Sequence, residues 1–197
     1  MKKSLILIVV FLSLSLSAQS TMKEDLSKLF LDLNLDLAPK LMIANSPLKF
    51  EWGANTGLMW TKDGKTERND THTFIANFDK HPFIESSFKK GVLTVIQTTE
   101  EMKTDVFSIH ENFEFDNPDD MISEYNRLLP AFEKFGYRVK NSTVQNENFE
   151  TQFENTEILI DSEQKKAKLT ISYSMPPKKE KSKSYLLTVL YDNQVKD

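Results

Sequence analysis

The sequence predicts an α+β fold: an antiparallel sheet with two helices packed on one face. Three observations predict it. Two stretches with helical apolar spacing each open on a capping residue. Most of the remaining chain alternates at strand period. Two segments 76 residues apart share a pattern, which suggests a tandem duplication of a helix-plus-antiparallel-strands unit.

The elements follow in chain order. Met1-Lys2-Lys3 precedes an apolar run from Leu5 to Leu16 and the small-residue exit Ser17-Ala18. A cationic start, a short apolar stretch and a small-residue end form the pattern of a secretory signal peptide. The run is too short for a permanent membrane span, which needs about 20 residues. The expected division is a signal peptide at 1–18, a first helix-plus-sheet unit at 19–115 and a second at 116–197, the two forming one globular body. Losing Lys2 and Lys3 takes the net charge from −4 to −6. An acidic chain argues against nucleic-acid and anionic-membrane partners. Export without any cysteine suits a bacterial envelope or secreted protein, and 14 Phe supply core and argue against disorder.

Thr21-Met22-Lys23-Glu24 has the form of a capping box. Met22, Leu26, Leu29, Phe30, Leu33 and Leu37 follow at helical spacing. Leu29, Leu31, Leu33, Leu35 and Leu37 also alternate as a strand would. The cap and the helix propensity of Leu decide for a helix to about Asn34. Pro39 and Pro47 punctuate the connection that follows. From Leu48 to Phe115 the pattern is mostly strand, with Asp63-Gly64 as a tight-turn dipeptide. Asn117-Pro118-Asp119-Asp120 opens the second helix: Asn caps, Pro fits the first position and the acids favour the positive end of the dipole. Its apolar face runs through Met121, Tyr125, Leu128 and Phe132. Gly136 is placed to end it, and Pro130 should kink or split it. Strands are expected at Tyr137–Val139, Glu157–Asp161, Ala167–Ser174 and Ser184–Tyr191. The last two are joined by Pro176-Pro177 and a lysine-rich loop.

The repeat pattern sets Lys89-Lys90-Gly91-Val92-Leu93-Thr94-Val95 against Lys165-Lys166-Ala167-Lys168-Leu169-Thr170-Ile171. Lys49-Phe50 and Trp52 also echo Lys134-Phe135 and Tyr137, at a different offset. This layout resembles that of the β-lactamase inhibitory proteins, secreted inhibitors that pair two such units. The likeness is one of layout and implies the fold alone.

No motif for catalysis, metal or cofactor emerges. Asp32, Asn34 and Asp36 have the spacing that opens a calcium loop, but Leu37 and Ile43 stand where that loop needs Gly and Glu. Polar positions on the first helix account for the spacing. Gly64-Lys65-Thr66 resembles the end of a phosphate loop, yet Met59 replaces its first Gly and strands flank it. His72, His81 and His110 lack metal-ligand spacing. The chain has no thiol and no serine elbow. The expected function is that of a non-catalytic binding or interaction protein, periplasmic or secreted, with another protein or an envelope component as partner. The alternatives are a carrier of a small apolar ligand and a hydrolase with an unrecognised site. No cofactor is expected. Large aromatics are core residues by default; if exposed, Trp52 and Trp60 are the candidate contact residues, with Lys178, Lys179 and Lys181 from the basic loop.

Overall fold

A computed structural model describes residues 26–62, 65–99, 107–134, 138–145, 152–162, 165–175 and 184–193. The expected leader, the Thr21 cap, Gly136 and the basic loop lie outside the described residues. Residues 26–29 are helical (α1). After them come α2 (Pro39–Ala44), β1 (Glu51–Lys62), β2 (Lys65–Phe78), β3 (Lys90–Thr99), β4 (Phe107–Phe115) and α3 (Pro118–Lys134). The chain continues through β5 (Arg138–Gln145), β6 (Gln152–Ser162), β7 (Lys165–Ser174) and β8 (Tyr185–Asp192). Among the described residues the strands form one antiparallel sheet of eight, in the order β1-β2-β3-β4-β8-β7-β6-β5. The fold is α+β, with strands dominating.

Strand alternation decides which side of the sheet is covered. In β4, Phe107, Ile109, Glu111, Phe113 and Phe115 are buried, and the residues between them are not. Directly opposed residues of an antiparallel pair share a face. Leu93 of β3 opposes Glu111, and Val189 of β8 opposes it from the other side. Ile171 of β7 in turn opposes Val189. These side chains join Leu26, Leu29, Phe30, Met121, Tyr125 and Leu128 in one buried cluster. Each large apolar side chain so buried contributes roughly 1.5–3 kcal/mol. Helix α3 lies against β4, β5, β7 and β8, and Tyr125 meets Tyr173 edge-on at 4.9 Å.

Gly91 is required for space. It opposes Phe78 on the covered face, and a Cβ there would run into the Phe78 ring. That ring packs edge-on against Phe88 and Phe113, so it has little room to retreat.

Three local expectations differ from the structure. Helix α1 ends about four residues early. Leu31 and Asp32 both take left-handed backbone angles, φ 53° and 64°. The Asp32 N–H donates to the Ser27 carbonyl at 2.8 Å and the Leu31 N–H to Lys28 at 3.2 Å, the bonding of a Schellman stop. No glycine marks that stop, and holding a leucine there costs about 1–2 kcal/mol. Asp32, Asn34 and Asp36 therefore lie in turns beyond the helix, where Asn34 Oδ1 accepts the Asp36 N–H at 3.1 Å. The connection after it holds α2, opened by Pro39 at its first turn and burying Met42. Pro130, finally, does not split the helix, which runs through it from Pro118 to Lys134. It is exposed, so water can satisfy the carbonyl it leaves without a donor.

The Asn117 cap is present: its Oδ1 accepts the Asp119 N–H at 2.9 Å, with Asp119 and Asp120 in the first turn. In β1 and β2, Lys62 opposes Lys65, so only Asp63 and Gly64 separate the strands of that hairpin.

Candidate functional site

The three histidines occupy separate places. His72 lies on β2 in the row of Gln97, towards the covered face. His110 is on β4 in the opposite phase, and His81 follows β2 and is buried. Among the described residues no group of three His, Cys, Asp or Glu is arranged to hold a metal ion.

His81 is the most constrained of them. Its Nδ1 accepts the Phe83 N–H at 3.2 Å, so the ring hydrogen is on Nε2. Nε2 donates to the Leu29 carbonyl at the end of α1, 2.8 Å away. The ring also meets Phe113 edge-on at 5.0 Å. Glu111 Oε2 lies 3.3 Å from the same Nε2, and both side chains are wholly buried. The hydrogen is aimed at Leu29, so neither Glu111 oxygen has a hydrogen-bond partner among the described residues. Burial pushes the Glu111 carboxyl above its usual range, and the nearby imidazole opposes this only in part. The pair has no opening towards solvent, so it offers a substrate no point of attack.

A second buried carboxylate is fully satisfied. Glu124, on α3, accepts the N–H groups of Glu85 and Ser86 at 3.2 and 2.7 Å on Oε1. Its Oε2 accepts Arg127 Nε at 3.0 Å and Nη2 at 2.6 Å. Arg127 also donates to the Phe83 carbonyl and pairs with Glu85 at 3.2 Å. Burial pulls the Glu124 carboxyl upward, but the bonds from Arg127 and Ser86 outweigh it and hold the group below its ordinary value. This network fastens the 83–86 segment to α3.

The other side of the sheet is open. Val92, Thr94 and Ile96 of β3, Ser108, His110 and Asn112 of β4, Thr188 and Leu190 of β8, and Thr170 and Ser172 of β7 are all partly exposed. They form cross-strand rows: Thr94 opposes His110, which opposes Leu190, which opposes Thr170. Thr188 Oγ1 donates to Asn112 Oδ1 at 2.8 Å across the β4–β8 seam. At one end, Glu114 accepts from Ser184 and pairs with Lys89 at 3.1 Å, which holds its carboxyl below the ordinary value.

Ser108 Oγ lies 3.2 Å from His110 Nε2, and Asp192 opposes Ser108. Partial burial lowers the His110 pKa, against the pull of Asp192. The trio has the residue types of an acyl-transfer site but not its surroundings. Strand β4 is paired on both sides, so its backbone N–H groups are committed to the ladders and none is spare for an oxyanion. The arrangement orients a hydroxyl and an imidazole on the open side of the sheet.

No family model, no curated protein and no solved structure matches the chain.

Of the residues singled out in the sequence, Trp52 is 57 % exposed on the edge strand β1. Its indole meets His72 at 5.4 Å and Phe74 at 5.1 Å, both edge-on, so the ring is held although it is open to solvent. Trp60 lies further along β1, opposite Glu67. Lys178, Lys179 and Lys181 lie outside the described residues. Sequence reasoning passed over Glu111 and Glu124. The available signal was phase: Glu111 falls among Phe107, Ile109, Phe113 and Phe115, and Glu124 beside Met121, Tyr125 and Leu128.

Proposed function

We propose that this chain is a non-catalytic binding protein acting in the periplasm or outside the cell, and that it meets another protein or an envelope component through the open side of its sheet. The open face is the observation that carries the reading. It presents hydroxyl, amide and aliphatic side chains in cross-strand rows across β3, β4, β8 and β7, opposite a covered face whose side chains are buried. Broad, mixed surfaces of this kind suit protein recognition better than a small-molecule cleft does. Trp52 is exposed at the margin of the opposite side, in the row of Phe74 and Val95, and is not part of this open face. The leader expected at residues 1–18 supports the assignment of compartment.

A duplicated origin accords with this arrangement. The strand order is symmetric about the β4–β8 seam, and the segment around Leu93 and Val95 matches that around Leu169 and Ile171 at the third strand of each half. We infer two helix-plus-four-strand units, each helix covering the same side of the shared sheet.

The test uses immobilised full chain and envelope extract. Thr94→Arg and Leu190→Arg on the open face should shift stability by no more than about 1 kcal/mol. Each should lose at least about tenfold of a partner retained by the wild type, as expected when a hot-spot contact worth about 1.4 kcal/mol or more is removed. A wild-type partner retained equally by both variants would refute the open-face reading.

A further inference from the structure

We propose that His81 and Glu111 form a pH-operated latch, which fastens the end of α1 to the sheet at acidic pH and loosens it as the pH rises. Three parts of the fold meet at the His81 ring. Nε2 holds the Leu29 carbonyl of α1, Nδ1 holds the Phe83 N–H, and Glu111 of β4 stands 3.3 Å from Nε2. Both side chains are wholly buried, so neither can reach water without movement.

Loss of the Glu111 proton disturbs this clasp. A carboxylate in an apolar site must find a donor, and the nearest is the Nε2 hydrogen, now committed to Leu29. Taking it leaves the Leu29 carbonyl without its partner at the end of a helix. That route frees the end of α1.

The groups around Glu111 leave few other exits. Leu93 opposes it from β3 and Val189 from β8, both fully buried and apolar. Tyr191 lies on the same face of β8, and burial, with Asp36 and Asp192 nearby, pushes its phenol up to about 12, so it stays protonated. The described part of α1 turns Leu26, Leu29 and Phe30 inward. Burial raises the Glu111 carboxyl from its ordinary 4.5. A raised group lends stability that is complete below its unfolded value and is lost as pH rises through its folded value. The latch is therefore firm in acid, and one-proton linkage allows about a tenfold loss of protection per pH unit across that window.

Hydrogen–deuterium exchange of the full chain, followed from pH 4.5 to 9 and corrected for intrinsic rates, tests the latch. In the wild type, segment 26–33 should lose at least tenfold protection as pH rises. Glu111→Gln should abolish that dependence, and Glu114→Gln, on the same strand but the open face, should keep it. Unchanged protection in the wild type, or an unaltered profile in E111Q, overturns the proposal. Should E111Q fail to fold, carbon-13 titration of the Glu111 carboxyl in the wild type decides. A midpoint above 4.5 that moves with the exchange profile supports the latch, and a midpoint at or below 4.5 refutes it.

Discussion

Replacing Phe113 with alanine should destabilise the protein by about 3–5 kcal/mol, the usual cost of emptying a large aromatic site in a packed core. Phe113 is wholly buried at the middle of the covered face. Its ring meets Phe78 at 5.5 Å, Phe88 at 5.4 Å and His81 at 5.0 Å, each edge-on. Removing it therefore opens a cavity and withdraws three aromatic contacts together. The neighbours cannot collapse freely, because Phe78 lies over Gly91 and His81 is tied at both ring nitrogens. The thermal midpoint should fall by roughly 10 °C. Phe113→Leu should cost less than half as much, since it keeps most of the volume. Calorimetry of the two variants checks the order and the size.

Glu124→Ala should cost about 2–4 kcal/mol, a figure kept below that of a fully buried ion pair because Arg127 is about one third exposed. The loss leaves the N–H groups of Glu85 and Ser86 without their acceptor and a guanidinium against α3 without its counter-ion. Glu124→Gln separates charge from shape, since it retains an oxygen for the backbone donors but removes the charge. The pH dependence supplies a sign. The Glu124 carboxyl is held below its ordinary 4.5. Its contribution is therefore present above that value and lost as pH falls through the depressed one. Chemical denaturation should show the wild type and E124Q well separated at pH 7 and converging near pH 3. This dependence runs opposite to that of Glu111, so the two carboxylates can be told apart in one pair of titrations.

How much of this was legible beforehand depends on whether each signal was local. The Asn117 cap, the α3 face through Met121, Tyr125 and Leu128, and the alternation of β4, β7 and β8 are written in adjacent residues. The sequence also shows the pattern shared by the β3 and β7 segments. The end of α1 was not legible, because Leu31 occupies a position where glycine would have announced the turn. The continuity of α3 through Pro130 depends on which side of the helix meets water, and that is a tertiary fact. Glu111 and Glu124 show only as acids in an apolar phase. What distinguishes them is their partners: His81 is 30 residues from Glu111 in sequence, and Ser86 is 38 from Glu124. The open face was invisible for a related reason. Thr94, His110 and Thr170 read as ordinary outward strand positions until strand order sets them in one row.

A chain with no cysteine allows a direct reading of the two faces. Single cysteines at Thr94 and Thr188 belong to the open side, and those at Val95 and Val189 to the covered one. Under native conditions the first pair should react with a soluble thiol reagent at nearly the rate of an unfolded control. The second pair should react at least ~10³-fold more slowly, through opening of the core alone. Equal rates at Thr94 and Val95, or at Thr188 and Val189, would contradict a sheet covered on one side and open on the other.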